Sequence, residues 1–255
     1  MGKIISFINQ KGGVGKTTTC VNMAAYLAQM GKKVLLIDID PQGNASSSVG
    51  VNKEDKFKTI YNVLINEEDI ESIILPTKLE KLSVIPSNID LSGAEIELVE
   101  VANREKVLKK ALSKIKNKYD YICIDCPPSL GLISVNSLTA SDSVLIPIQC
   151  EYFPLEGISV LMYTISLIKK HKLNPDLDVE GVVLTMKDGR SNLGNSVANE
   201  ISKYFKEKVY KTVIPRNIRL AEAPSYGEPI CIYDPKSTGG VAYRQLTEEF
   251  LERNK

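Results

Sequence analysis

No apolar run in this 255-residue chain reaches the roughly 18 residues a transmembrane helix needs, so no membrane span is expected. The first residues pass straight into a strand-like run. That leaves no room for a signal peptide or for a preceding helix-turn-helix, so neither export nor operator-specific DNA binding is expected. Histidine is nearly missing: His171 stands alone, within Lys169-Lys170-His171-Lys172 at a helix end, and reads as solvated surface. The five cysteines are scattered and odd in number, which suits a reduced cytoplasmic chain and excludes a disulfide framework. Cys123 and Cys126 form one C-x-x-C, but no second pair lies at zinc spacing and Cys123 falls mid-strand, so no metal or redox centre is expected there. Net charge is lacking too, at +1, so overall charge selects no class of partner. There is no internal repeat, low-complexity tract or linker. With 43% hydrophobic residues, the chain is expected to form a single domain over 1–255.

What is present is concentrated at residues 10–18, Gln-Lys-Gly-Gly-Val-Gly-Lys-Thr-Thr. The apolar run Ile4-Ile5-Ser6-Phe7-Ile8 precedes it and a helix-like stretch through Met30 follows. Strand, glycine-rich turn and helix is the context of a phosphate-binding loop, whose amides and helix N-terminus face phosphate oxygens. The pattern gives Lys16 the β- and γ-phosphates and Thr17 a Mg²⁺ ion. Gln10 stands where the common form has its first glycine, and Lys11 adds a second lysine inside the loop.

Two further segments complete a nucleotide site. Val34-Leu35-Leu36-Ile37-Asp38-Ile39-Asp40-Pro41 is a buried-strand pattern ending in two carboxylates at i, i+2, which face one way if the chain stays extended. Tyr121-Ile122-Cys123-Ile124-Asp125 delivers another carboxylate at a strand end, the Walker B arrangement for holding Mg²⁺ through water. Strand-like runs recur near 3–8, 33–38, 82–86, 119–124, 143–148 and 179–186, mostly separated by helix-like segments, with 44–58 read as loop, 61–75 and 90–118 as helical, and a final helix near 241–253. The alternation implies an α/β fold: a mainly parallel twisted sheet with helices on both faces and ligands at the carboxyl ends of the strands.

Charge is uneven along the chain. Residues 104–118 carry seven lysines and arginines on a helix-like stretch, the pattern of a solvated amphipathic face. Residues 187–219 hold Lys187, Arg190, Lys203, Lys206, Lys208, Lys211, Arg216 and Arg219, a candidate nucleic-acid footprint.

Taken together, Lys11-Gly12-Gly13-Val14-Gly15-Lys16-Thr17-Thr18, Asp38-Ile39-Asp40-Pro41-Gln42-Gly43-Asn44 and Ile124-Asp125-Cys126-Pro127-Pro128-Ser129 resemble the ParA/MinD group of deviant-Walker P-loop ATPases. Pro147-Ile148-Gln149-Cys150-Glu151, Leu184-Thr185-Met186 and the run from Ile214 to Ser225 place the resemblance closest to the chromosomal ParA branch. The resemblance implies slow, Mg²⁺-dependent ATP hydrolysis. Lys16 and the loop from Lys11 to Thr18 hold the phosphates, Asp40 orients the attacking water, and Thr17, Asp38 and Asp125 serve the metal. It implies that Lys11 reaches the partner's ATP in a homodimer, that Pro215 and Asn217 hold the adenine, and that Arg190 and Arg219 bind double-stranded DNA without sequence preference. A ParB-type partner would stimulate hydrolysis, and the protein would be cytoplasmic and nucleoid-associated. Two relatives of the same fold stay in view. A MinD-like division-site ATPase needs an amphipathic membrane anchor, which residues 241–253 do not offer. An iron–sulfur carrier needs a cluster-binding cysteine pair.

Overall fold

The computed structural model describes residues 2–52, 55–150, 154–187 and 192–255. Its centre is a seven-stranded sheet: β1 (Lys3–Phe7), β2 (Val34–Asp38), β3 (Leu75–Pro76), β4 (Leu82–Ile85), β5 (Tyr121–Asp125), β6 (Ser143–Gln149) and β7 (Asp178–Thr185). The spatial order is β3-β4-β2-β5-β1-β6-β7, and every neighbouring pair is parallel except β3 with β4. Parallel strands need helical crossovers, and these bury both faces of the sheet. Residues along each strand accordingly alternate between two cores. Ile4, Leu35, Ile37, Ile122, Ile124, Val144 and Ile146 face one, while Ile5, Phe7, Leu36, Cys123 and Leu145 face the other.

The helices are α1 (Lys16–Gln29), α2 (Asn44–Ser48), α3 (Ile60–Ile65), α4 (Leu91–Glu97), α5 (Val107–Ser113), α6 (Leu132–Ala140), α7 (Pro154–Lys170), α8 (Asn192–Phe205), α9 (Ile218–Glu222), α10 (Ile230–Tyr233) and α11 (Thr238–Arg253). The first core packs α3 to α8 against one face, and the second packs α1, α2 and α9 to α11 against the other.

The expected strands all form. The expected helices over 61–75 and 90–118 do not persist. The first stops at α3, because Asn66 ends it and Glu67 takes a left-handed φ of 53°. A single 3-10 turn (Ile70–Ile73) then leads into the short antiparallel edge strand β3, which the apolar pattern did not reveal. The second is split at Asn103, with φ 55°, and restarts where the Asn136 side chain accepts the Leu108 N–H (3.1 Å) and donates to the Arg104 carbonyl (2.7 Å). The expected loop over 44–58 contains α2. The final helix starts at Thr238, where the Ser237 hydroxyl accepts the Gly240 N–H (3.1 Å).

The apolar face of α11 is used up inside the protein. Tyr243, Leu246 and Phe250 are buried in the second core beside residues of α1. Among the described residues no helix is long and apolar enough to cross a membrane.

Candidate nucleotide site

The three sequence motifs converge because β2, β5 and β1 are adjacent. Asp38 is in register with Asp125, and Asp125 with Phe7, so the strands deliver both carboxylates and the entry to the glycine loop at one level. Carboxyl ends of parallel strands are where this class of sheet binds ligands.

Side chains fasten the loop. The Asn9 amide donates to the Pro147 carbonyl at the end of β6 (2.7 Å), and its oxygen accepts the Lys11 N–H (3.0 Å). The Thr185 hydroxyl at the end of β7 donates to the Val14 carbonyl (2.8 Å). Gly13 and Gly15 have φ of 73° and 84°, the left-handed region that favours glycine. At Gly12 and Gly13 an added Cβ would meet nothing within 4 Å, so the loop borders open space. Lys11 is exposed, and its carbonyl accepts the Lys16 ammonium at 3.2 Å. Lys16 is buried (7% exposed), and its pKa is lowered by desolvation, against the pull of Asp125, Cys126 and Asp40.

The carboxylates divide into engaged and unengaged. Asp38 accepts the Ser46 N–H (2.8 Å), the Ser46 hydroxyl (2.7 Å) and the Asp40 N–H (3.1 Å). Burial raises its pKa to about 6, the Ser46 hydrogen bonds oppose the rise, and Asp40 adds to it. The Asp40 N–H bond to Asp38 Oδ1 leads into a bend at Asp40, directly after β2. Asp40 is half-buried, and its own Oδ1 accepts the Gln42 N–H (2.9 Å). Asp125 is fully buried, and neither oxygen has a hydrogen-bond partner among the described residues. Burial and the neighbouring Asp38 push its pKa well up, while Thr17 and Lys16 act in the opposite sense.

An orphaned buried carboxylate, a desolvated ammonium and a glycine cradle opening on free space fit a phosphate–cation ligand. Among the described residues no three His, Cys, Asp or Glu side chains gather to hold a metal unaided. That suits Mg²⁺, which commonly takes one or two protein oxygens and completes its shell with phosphate and water.

The remaining candidates lie elsewhere. The Ile214 N–H donates to the Leu184 carbonyl (2.9 Å) and the Lys187 N–H to the Ile214 carbonyl (3.2 Å), so the Pro215–Asn217 segment runs beside the end of β7. Pro215 borders an open hollow of about 540 Å³ shared with Lys187, Lys236 and Thr238. The Asn217 amide donates to the Thr238 hydroxyl (2.7 Å), and its Oδ1 is buried without a partner among the described residues. Arg219 is exposed but engaged, with Nη1 2.9 Å from Glu222 and Nε 3.6 Å from Asp234. Arg190 lies outside the described residues.

Asn9, Ser46 and Thr185 were not among the sequence candidates. Asn9 and Thr185 act through contacts distant in the chain, whereas Ser46 meets Asp38 from the nearby hydroxyl run Ser46-Ser47-Ser48 after Asp40, which carried the one local signal.

Strand, glycine loop and helix beside two strand-end carboxylates define a P-loop ATPase fold. A family model described as "AAA domain" matches residues 2–179. The sporulation initiation inhibitor protein Soj of Bacillus subtilis (strain 168) is 59% identical over 249 residues, covering 98% of each chain. The chromosome partitioning protein ParA of Myxococcus xanthus (strain DK1622) is 51% identical over 254 residues, covering 100% of this chain and 89% of the relative. Among solved structures, a cobyrinic acid a,c-diamide synthase from Mycobacterium smegmatis with bound ADP and magnesium superposes with a TM-score of 0.86 at 34% identity, covering 99% of this chain and 95% of the other. The chain belongs to the Soj/ParA family of chromosome-partitioning ATPases.

Proposed function

We propose that this protein is a nucleotide-gated DNA-partitioning switch. It binds ATP with Mg²⁺, pairs as a homodimer, holds double-stranded DNA without sequence preference, and releases it when a ParB-type partner stimulates hydrolysis. Family membership supports the partitioning role. The observation that carries the nucleotide reading is the desolvated Lys16 lying within the electrostatic reach of the orphaned Asp125 beside the glycine loop.

Each residue has a derivable task. The loop amides from Lys11 to Thr18 and the Lys16 ammonium take up phosphate charge, and α1 adds its N-terminal dipole. Bound Mg²⁺ neutralises charge developing on the phosphate oxygens. Thr17 supplies a hydroxyl to its shell, with Asp125 and Asp38 behind it. Asp38 has a further duty, since its bonds to Ser46 tie the end of β2 to α2. Asp40, half-buried at the site, orients water for attack on the γ-phosphorus, and the bond to the ADP oxygen breaks. Lys11, exposed at the rim, is assigned to the nucleotide of a second subunit. Pro215 and the unpartnered Asn217 oxygen suit the base, the latter as acceptor for an exocyclic amine. Arg190 and Arg219 are assigned to DNA phosphates. The protein is then cytoplasmic and nucleoid-associated.

The test is binding to random-sequence duplex DNA with ATP, ADP or no nucleotide at two salt concentrations. Tight, salt-sensitive binding with ATP alone is expected. Equal binding in all three states would refute the gating, and no binding in any state would refute the DNA role. Lys11→Ala should still bind ATP yet stay monomeric, and Asp40→Ala should hold the ATP dimer without turnover.

A further inference from the structure

Among the described residues, five that are not glycine take a left-handed φ: Glu67, Asn103, Lys172, Met186 and Lys206. Four of them are exposed polar residues in the turns beside helices. Met186 differs. It is apolar, half-buried and placed directly after β7, with φ 51°. Side chains other than glycine rarely adopt this region, and a residue held there persists only where its surroundings fix it.

The bend at Met186 redirects the backbone. Along an extended strand, the N–H and C=O groups of successive residues point to opposite sides. On the outer edge of β7 the Val182 and Leu184 carbonyls accept the N–H groups of Tyr210 and Ile214, both at 2.9 Å. On the β6 side the Thr185 carbonyl accepts the Cys150 N–H (3.2 Å). Were the strand to continue, the Lys187 N–H would follow Thr185 to the β6 side. It donates instead to the Ile214 carbonyl on the outer edge (3.2 Å), and Lys187 pairs with Pro215 in an isolated parallel bridge. The left-handed Met186 turns that one peptide over.

The Met186 side chain meets the other half of the site. Its Cε lies 3.8 Å from where a Cβ on Gly15 would stand, beside the Thr185 Cγ2 at 3.7 Å. Gly15 is the residue before Lys16, and the Thr185 hydroxyl holds the adjoining Val14 carbonyl (2.8 Å). Three consecutive residues thus divide between two structures. Thr185 secures the glycine loop, and Lys187 secures the segment leading to Pro215 and Asn217. Met186 stands between them, bordering the loop through its side chain and setting the segment through its backbone.

We propose that Met186 is a positioning residue for base selection. Its left-handed backbone holds the Pro215–Asn217 segment at a fixed offset from the glycine loop, so a nucleotide whose phosphates fill the loop presents its base to that segment. The inference rests on the nucleotide reading and on the assignment of the Asn217 oxygen to an exocyclic amine. Phosphate capture by the loop amides and Lys16 does not need Met186, whereas discrimination between bases does. Methionine serves better than glycine here, because a glycine fits the bend but leaves the backbone free and the Gly15 side unpacked.

The probes are ADP and IDP with Mg²⁺. They share both phosphates, neither needs turnover to be measured, and they differ where the exocyclic amine of adenine is replaced by a carbonyl. Isothermal titration of the full chain should show about tenfold preference for ADP. In Met186→Gly, ADP should bind severalfold more weakly and IDP within about twofold of the parent, so the preference collapses. Met186→Leu keeps apolar bulk against Gly15 and should keep the preference. Thermal melts check the fold, and Met186→Asn, which tolerates the left-handed region but lacks the apolar contact, repeats the test if glycine loosens the protein. Equal weakening of ADP and IDP in Met186→Gly would reduce the residue to a prop for the loop and overturn the proposal. Parental ADP affinity in that variant, a Met186→Leu protein as unselective as Met186→Gly, or a parent that binds ADP and IDP alike would also overturn it. A parent that binds neither diphosphate would remove the nucleotide reading itself, a result that needs no Met186 variant.

Discussion

Asp38 and Asp125 stand in register across β2 and β5, both fully buried, one held by three hydrogen-bond donors and the other, with the Thr17 hydroxyl nearby, without a hydrogen-bond partner among the described residues. Burial raises the pKa of both; the charge of Asp38 adds to the rise at Asp125, and that of Asp40 adds to both. Burial lifts Asp38 from 3.8 to about 6. A carboxyl raised on folding contributes stability that is complete below its unfolded pKa and is lost as pH rises through the folded one. Nucleotide-free protein should therefore lose up to about 3 kcal/mol of this contribution between pH 4 and pH 7. Asp38→Asn has no such titration. Denaturant melts should give a parent-minus-variant stability that falls over that range, and a flat difference would contradict the assignment.

Two neighbouring glycines should fail differently. Gly15→Ala forces a left-handed backbone on alanine, at a cost of about 1–2 kcal/mol. Gly12 has no positive φ, and its Cβ would point into open space. Gly12→Ala should melt with the parent protein yet bind ATP more weakly. Isothermal titration beside thermal melts separates the two, and a Gly12→Ala protein of parental ATP affinity would show that the cradle is not where phosphate sits.

The first turn of α1 is tied to α11 by one buried hydroxyl pair, Thr19 with Tyr243 at 3.0 Å. Tyr243→Phe leaves the Thr19 hydroxyl without that partner in a closed site and should cost about 1–2 kcal/mol. Tyr26, whose hydroxyl donates to the Gly240 carbonyl at 2.8 Å, gives a second such variant. The two losses should add to within a few tenths of a kcal/mol if the contacts are independent.

The proposed DNA contact of Arg219 requires it to leave Glu222 and Asp234. Arg219→Ala should weaken binding to all sequences alike and flatten the salt slope by about one. Glu222→Gln frees the guanidinium and should tighten binding. Equal affinities in the parent and Glu222→Gln would mean that Arg219 makes no phosphate contact.

The fold was legible where periodicity and punctuation agreed. The strand pattern, the Gly13–Gly15 loop and the strand-end carboxylates are local signals, and β1, β2 and β5 formed where they pointed. Apolar spacing carried less information past Asn66 and Asn103, where a left-handed residue stops a helix that the pattern would continue. α2 was invisible because it has no apolar period of its own, being secured by Asp38 through Ser46. Asn9 and Thr185 were hidden for a related reason. Their partners, Pro147 and Val14, lie more than a hundred residues away and meet them only once the sheet is assembled.

The orphaned carboxylate of Asp125 has a calorimetric consequence. On the proposed metal role of Asp125, a carboxyl that burial inclines to keep its proton has to surrender it when Mg²⁺ arrives, so loading the site should expel protons into the medium. The heat of loading should then differ between phosphate and Tris buffers at one pH, in proportion to their ionisation enthalpies, and the slope counts the protons released. The acidity of the surroundings thus becomes a competitor for the metal, and acidification drains the loaded form without touching a single phosphate contact.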